Sequence, residues 1–114
     1  MDCLFCKIGA GEIPSDTVFE DEHIRVFKDI HPKAPVHLLV IPKTHIQSIA
    51  HLEEDHGGII VKLIYTAKDV AARMGLAGYK LGFNVGREGG QDVDHLHLHV
   101  LGGWSGAEER KLNV

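Results

Sequence analysis

Five short segments rich in branched and apolar residues predict β-strands, because these residue types favour extended backbone. The first two, Thr17–Glu20 and Ile24–Lys28, are separated by an acidic turn. His37–Ile41 is almost entirely apolar and predicts a buried central strand, and Tyr79–Val85 and Asp94–Leu101 predict the fourth and fifth. The connections are mostly short, which is typical of an antiparallel sheet.

Between Glu53 and Met74 the apolar residues recur every three or four positions, as in a helix, rather than every two, as in a strand. The residues at this spacing are Ile60, Leu63, Ile64, Ala67, Val70, Ala71 and Met74. Gly75 is a suitable C-terminal stop, while Gly57 and Gly58 leave the start of the helix open. A short helical turn is expected over Cys3–Ile8. The pattern therefore predicts an α+β fold with a five-stranded antiparallel sheet, one long helix and a short N-terminal helix.

Composition and charge narrow the class of protein. A chain of 114 residues, 44% hydrophobic and 25% charged, fits one globular domain. Its net charge of -4 argues against a nucleic acid polymer as partner but leaves room for a mononucleotide in a local pocket. The longest purely apolar run, Leu38–Ile41, is too short for a membrane span, and no export signal opens the sequence. We therefore expect a cytoplasmic protein, not bound to membranes, with Cys3 and Cys6 reduced.

Three histidines alternate with apolar residues near the end of the chain. His95, His97 and His99 are separated by Leu96 and Leu98, and Val100 follows. Successive side chains of a strand point to opposite faces, so the three imidazoles are expected on one face and the apolar residues in the core. Titratable groups clustered in this way indicate a functional site more often than a solvated strand.

Two kinds of chemistry fit this row. A catalytic metal site is one, but on a strand the Cα atoms of His95 and His99 would lie about 13 Å apart, too far for three rings to share one ion easily. The other is nucleophilic attack by His97 on phosphorus, with His99 or His37 protonating the leaving group. Backbone N–H groups around Gly90 and the amide of Gln91 would then bind phosphate oxygens.

The chain resembles the histidine-triad nucleotide-binding proteins over nearly its whole length, which implies a single histidine-triad domain over residues 1–114. Gly90–Gly103 is similar to the family signature, and Cys3–Ile8 with Gly11–Pro14 to the family's opening. Phe27–Ile30 and Ala34–His45 are similar to its middle strands. The resemblance points to the branch that hydrolyses purine nucleoside phosphoramidates, in a zinc-containing bacterial form.

The resemblance implies a homodimer whose sheets join across the interface, and cleavage of purine nucleoside 5′-phosphoramidates through a nucleotidyl-histidine intermediate. His97 matches the nucleophile, and His99 and His37 match the residues that bind phosphate and manage protons. Asp29 matches the carboxylate that accepts hydrogen bonds from the ribose hydroxyls. The base slot matches Phe5, Ile8, Ile13, Phe27 and Ile30, and the phosphate-side wall matches Asn84, Gln91, Asp92 and Val93, next to Gly90.

Two residues depart from the family pattern. Some members carry serine where this chain has Asp92, and an acid there implies a changed rate or leaving-group preference. Many members have tyrosine where Asp94 stands, which implies a change in how His95 is held.

Cys3-x-x-Cys6 is half of a zinc site, and His45 and His95 can complete a Cys2His2 shell, as in family members with the same opening. The alternative is a pair of partly buried, reduced thiols. Four protein ligands leave no position for water, so the zinc is expected to be structural, with no cofactor required for catalysis. The remaining histidines, His23, His31, His51 and His56, are expected in solvent.

Two other functions stay open. Cleavage of dinucleoside polyphosphates or nucleotidyl transfer is less favoured, because the chain lacks the longer insertions and the glutamine within the triad that mark those branches. A non-enzymatic, zinc-stabilised module for nucleotide sensing or protein interaction would be favoured by a missing site residue. His37, His97 and His99 are all present.

Overall fold

The computed structural model describes residues 3–106 of the chain. Its five strands form one antiparallel sheet in the order β1-β2-β3-β5-β4. The strands are β1 (Thr17–Glu20), β2 (Ile24–Lys28), β3 (Val36–Pro42), β4 (Tyr79–Gly82) and β5 (Leu98–Gly102). The α+β class and the five-stranded antiparallel sheet are thus confirmed. The predicted domain over residues 1–114 extends into residues 1, 2 and 107–114, which lie outside the described part.

Two α-helices accompany the sheet: α1 (Leu4–Gly9) and α2 (Gly57–Arg73). The long helix begins at Gly57 because Glu54–His56 forms a 3-10 turn closed by a capping box. It ends where predicted, since Gly75 adopts a φ of +73°, which favours glycine. Within residues 3–106, no helix has both the length and the apolar character that crossing a bilayer requires.

The main core lies between α2 and one face of the sheet. Leu63, Ala67 and Val70 of the helix are fully buried against alternate residues of β3 and β5, such as Leu38 and Val100. The apolar stripe was predicted correctly for these positions but not for Ile64, which is 40% exposed. Thr66 is buried instead, because the stripe turns slightly around the helix.

A second apolar cluster covers the opposite face of the sheet. There α1 contributes Phe5 and Ile8, and the strands contribute Phe27, Leu39 and Ile41. Strand residues alternate between the two faces, so Leu38 and Leu39 belong to different clusters. The face covered by α1 is also the one that carries the histidines described below.

The last two strands are shorter than predicted: β4 ends at Gly82 rather than Val85, and β5 begins at Leu98 rather than Asp94. Only His99 of the histidine row therefore lies on a strand. The backbone N–H of Leu96 donates instead to the carbonyl of Ile46, 2.6 Å away. The segment before β5 is therefore bonded to the loop after β3 at this point. Leu96 and Leu98 are still buried in the main core, and the alternation of faces persists.

Candidate active site

Two histidines on neighbouring strands meet on the α1 face of the sheet. His37 of β3 is 4% exposed, and its Nε2 lies 2.8 Å from Nδ1 of His99 on β5. The register of the two strands pairs Leu39 with His99, and this places the two imidazoles side by side. Long-range strand pairing, rather than any local motif, brings His37 to the row.

Backbone contacts fix which nitrogen of each of these rings carries a proton. The N–H of Lys33 donates to Nδ1 of His37 over 3.1 Å, so the proton of a neutral His37 sits on Nε2. His37 then donates to Nδ1 of His99, which leaves the proton of His99 on Nε2. Within residues 3–106, that buried Nε2 has no hydrogen-bond partner. Among the described residues, His99 thus has one N–H that is not satisfied within the protein.

Burial keeps these two rings neutral at pH 7. It lowers the pKa of His99 to about 4, with the nearby His97 and His37 adding to the effect. It also lowers the pKa of His37, although the Asp29 carboxylate opposes the shift. Neutral imidazoles can each offer one donor and one acceptor, which the hydrogen-bond chain requires.

His97 is held as a nucleophile would need to be. It is 7% exposed, and its Nδ1 lies 2.7 Å from the carbonyl oxygen of His95. Only a protonated Nδ1 can donate to that carbonyl, so in the neutral ring Nε2 carries the lone pair. The ring packs edge-on against Phe5, with centroids 5.1 Å apart, and lies beside His99 at 4.9 Å. These contacts leave little freedom for rotation.

Asp29 adds a carboxylate to the same group. Its Oδ2 lies 3.5 Å from Nε2 of His37, and its Oδ1 accepts a hydrogen bond from the N–H of His31. Asp29, His37 and His99 are close enough to bind a metal ion. However, the facing nitrogens of the two histidines already bond each other, and the N–H of Lys33 occupies the remaining nitrogen of His37. We therefore assign this group to hydrogen bonding rather than to metal.

These side chains line a cavity of about 450 Å³, a size that suits a nucleotide. Most predicted site residues border it. They are Phe5, Ile8, Phe27, Asp29, Ile30, His37, Asn84, Gly90, Asp92, Val93, His97 and His99. Three charged or titratable residues that the sequence did not single out for the site also line the wall: Lys28, His31 and Lys33.

Ile13 and Gln91, both predicted to border the ligand, do not line the cavity. Ile13 packs at the edge of the α1 cluster. Gln91 is 2% exposed, with its carbonyl accepting from the N–H of Gly86 and its amide donating to the carbonyls of Gln47 and Val93. Both amide hydrogens of Gln91 are thus bonded within the protein. Its buried side chain stabilises the glycine-rich loop, which comprises residues 86–92.

An arginine stabilises the same loop on its exposed side. Two nitrogens of Arg87 lie 2.8 and 3.0 Å from the two carboxylate oxygens of Asp94. Arg87 also donates to the carbonyl of Gln91, and Gly90 adopts a φ of +86° that lets the loop turn. Asp94, which was expected to change how His95 is held, pairs with Arg87 on this loop.

A second group of side chains lies where α1 meets the loop after β3. Nδ1 of His95 lies 3.3 Å from Sγ of Cys3 and 3.5 Å from Sγ of Cys6, and Nδ1 of His45 lies 3.3 Å from Sγ of Cys6. A tetrahedral zinc with Zn–S bonds of about 2.3 Å and Zn–N bonds of about 2.0 Å separates sulfur and nitrogen by about 3.5 Å. All four ligand atoms lie within 4.8 Å of one another, so the residues fit this metal.

The ring of His95 is already oriented to bind a metal. Nε2 of His95 donates to the carbonyl of Pro42 over 2.8 Å, which leaves the lone pair of Nδ1 facing the sulfurs. Burial lowers the pKa of His95 to about 4, and it raises the pKa of Cys6 to about 11 when no cation is present. A bound cation would favour the thiolate form.

Comparison with known proteins agrees with this geometry. The family model described as "Scavenger mRNA decapping enzyme C-term binding" matches residues 2–111. Protein HitA of Neisseria gonorrhoeae is 47% identical over 102 residues, covering 89% of this chain and 95% of that protein. The purine nucleoside phosphoramidase of Escherichia coli is 40% identical over 104 residues, covering 90% and 87%. The adenylylsulfatase HINT1 of Arabidopsis thaliana is 46% identical over 103 residues, covering 88% and 70%.

Solved structures show the same fold. A HIT family hydrolase from Legionella pneumophila superposes with a TM-score of 0.89 at 50% identity, covering 90% of this chain and 94% of that one. A zinc-bound histidine triad protein from Mycobacterium smegmatis superposes with a TM-score of 0.81 at 29% identity, covering 97% and 81%.

Gln91→Glu tests the support of the glycine-rich loop. A carboxylate cannot donate to the carbonyls of Gln47 and Val93, so we expect the free energy of unfolding to fall by about 1–3 kcal/mol in urea titrations. Glu88→Gln, an exposed change on the same loop, is the control and should change stability by less than about 0.5 kcal/mol. Equal stability of the two variants would contradict this role of Gln91.

Proposed function

Because the chain belongs to the histidine-triad family, we propose that it hydrolyses purine nucleoside 5′-phosphoramidates through a nucleotidyl-histidine intermediate. One observation carries the proposal. Nδ1 of His97 is tied to the carbonyl of His95, so Nε2 of a buried, fixed imidazole is the free nucleophilic atom. The Escherichia coli relative named purine nucleoside phosphoramidase supports the choice of substrate.

In the first step, Nε2 of His97 attacks the α-phosphorus and the P–N bond breaks. The leaving nitrogen needs a proton, because an amide anion is very unstable. We propose that the leaving nitrogen takes this proton from solvent, while the N–H at Nε2 of His99, which has no partner within residues 3–106, donates a hydrogen bond to a phosphate oxygen. The His97 ring, now carrying phosphorus on Nε2 and a proton on Nδ1, is positively charged and is therefore a good leaving group in the next step.

In the second step, a water molecule attacks phosphorus and the P–Nε2 bond breaks. The nucleoside monophosphate is released, and the proton lost by the attacking water passes to solvent. His37 donates to Nδ1 of His99 throughout and so keeps that ring in one tautomer. Each turnover consumes one water and yields one amine and one nucleotide.

We place the nucleoside along the part of the cavity formed by α1 and the loop after β2. Asp29 accepts hydrogen bonds from the ribose hydroxyls, and Phe5, Ile8 and Phe27 form an apolar slot for the base. The cations of Lys28 and Lys33 line the same cavity and favour an anionic ligand.

A second candidate reaction uses the same first step on a different leaving group. The Arabidopsis relative is named an adenylylsulfatase, and in such a substrate the bond to α-phosphorus is an anhydride. An anhydride leaving group is stable without a proton, so this reaction would not need protonation of the leaving group. Comparing turnover of adenosine 5′-phosphoramidate, adenylyl sulfate and diadenosine polyphosphate separates the candidates, and a non-enzymatic module would turn over none.

We further propose that Cys3, Cys6, His45 and His95 bind one structural zinc ion. Their spacing suits tetrahedral zinc, and the Mycobacterium smegmatis neighbour is zinc-bound. Bound there, zinc would join α1 to the rest of the sheet and add to the stability of a small domain. The thiolates need a reducing compartment, in keeping with the predicted cytoplasmic location.

We also propose that two chains form a homodimer through β4. This strand lies at the edge of the sheet, and its Tyr79 and Leu81 are exposed. An unpaired edge strand readily takes a second strand. Val61 and Tyr65 on α2 are further exposed apolar residues that a partner could cover.

His97→Ala removes the proposed nucleophile. We expect release of AMP from adenosine 5′-phosphoramidate to fall roughly a thousandfold or more. His23→Ala, an exposed histidine outside the cavity, is the control and should keep the wild-type rate. Quenching wild-type turnover with labelled substrate should also place an acid-labile nucleotidyl group on His97. Label on another residue would contradict the mechanism.

Zinc analysis of untagged protein should give one ion per chain. Cys6→Ser removes one of four ligands, so we expect zinc content to fall below half and the unfolding temperature to drop by several degrees. His51→Ala, an exposed histidine outside the ligand group, should retain the ion. Full zinc content in Cys6→Ser would exclude this ligand set.

Light scattering should give twice the chain mass for the wild type. Leu81→Glu places a charge on the proposed β4 interface and should halve that mass at micromolar concentration. Thr17→Glu introduces the same charge on β1, at the opposite edge of the sheet, and should leave the dimer intact. A monomer in both variants, or in the wild type, would contradict the β4 interface.

A further inference from the structure

The glycine-rich loop places one acid in a cavity proposed to hold a phosphate. Asp92 is exposed and lines the cavity together with Asn84, Gly90 and Val93. Asp29, the other acid of the cavity, lies 3.5 Å from His37 and is proposed to accept hydrogen bonds from the ribose. Asp92 has no role in the proposed bond-breaking steps.

No cation neutralises this carboxylate within residues 3–106. Asp92 takes part in none of the ion pairs or hydrogen bonds found among them. The lysines of the cavity, Lys28 and Lys33, belong to the β2 end and the loop after it, and Lys28 pairs with Asp16. Among the described residues, Asp92 therefore presents a carboxylate to the cavity with no ion-pair partner.

The cation of the same loop, Arg87, is paired with another acid. Arg87 makes a two-pronged ion pair with Asp94 and donates to the carbonyl of Gln91. A two-pronged carboxylate contact fixes the guanidinium in position and direction. Arg87 is thus paired with Asp94 and not with Asp92.

Asp92 lies on the wall of the cavity where the leaving group is expected. With the nucleoside against Asp29 and the α1 slot, the wall formed by the loop before β5 remains for the phosphate and the group that departs from it. A carboxylate there repels an anionic leaving group and attracts a cationic one.

We propose that Asp92 selects phosphoramidates whose leaving amine carries a second, positively charged amino group. The inference rests on the proposed phosphoramidate hydrolysis and names the substrate class within it. Asp92 acts on specificity, through charge complementarity with the distal ammonium of the leaving group, and takes no part in bond breaking.

Three adenosine 5′-phosphoramidates test this. Each has a three-carbon chain on the phosphoramidate nitrogen, ending in an ammonium, a methyl or a carboxylate group. For the wild type we expect kcat/KM to decrease in that order, with the ammonium favoured over the methyl roughly three- to tenfold, as expected for two charges several ångströms apart near a protein surface. Because exposed charges are screened, added salt should reduce the ratio.

Asp92→Asn keeps the shape of the side chain and removes its charge, so the ammonium-to-methyl ratio should fall to about one. Glu88→Gln removes an acid from the same loop that does not line the cavity, and its ratio should equal that of the wild type. Asp94→Asn weakens the hold on Arg87 and should lower the ratio part of the way. The ratio is taken within each variant, so a general loss of rate does not affect it.

The outcomes separate this inference from the function it rests on. Absence of turnover for all three amides would overturn the phosphoramidate hydrolysis itself. Turnover of all three without a dependence on leaving-group charge, or an ammonium preference that survives in Asp92→Asn, would overturn the role of Asp92 alone.

Discussion

The hydrogen bond from Nδ1 of His97 to the carbonyl of His95 is the constraint on which the proposed chemistry depends. It sets the tautomer of His97 and directs the reactive lone pair to the other nitrogen. The acceptor is a backbone atom, so its position is set by the path of the chain rather than by a flexible side chain. His95 is itself fixed, because its ring is buried and donates to the carbonyl of Pro42.

This constraint links the proposed zinc ligands to the histidines of the cavity. The ring of His95 faces Cys3 and Cys6, while its carbonyl accepts from the ring of His97, the proposed nucleophile. Phe5 lies between the two cysteines in sequence and packs against the ring of His97. The proposed zinc would thus steady α1 and the segment before β5 from outside the cavity, without taking part in the reaction.

Burial gives the site its electrostatic character. His37 and His99 stay neutral because charging a buried imidazole is unfavourable, and neutral rings can form a directed chain of hydrogen bonds. The chain starts at the N–H of Lys33 and ends at the remaining N–H of His99. The glycine-rich loop contributes charged side chains: Arg87 pairs with Asp94, and Asp92 lines the cavity.

The sequence by itself determined the five strands, the long helix and the histidine row, because apolar periodicity and alternation are local signals. Most of the other residues that line the cavity were indicated by the resemblance to the histidine-triad family. It did not reveal that Gln91 lies beneath its loop, or that Lys28 and His31 border the cavity, since a polar residue in a loop can face either way. Only the tertiary structure decided those orientations and the proton positions on His37 and His97, because they depend on backbone groups brought close by strand pairing and loop packing.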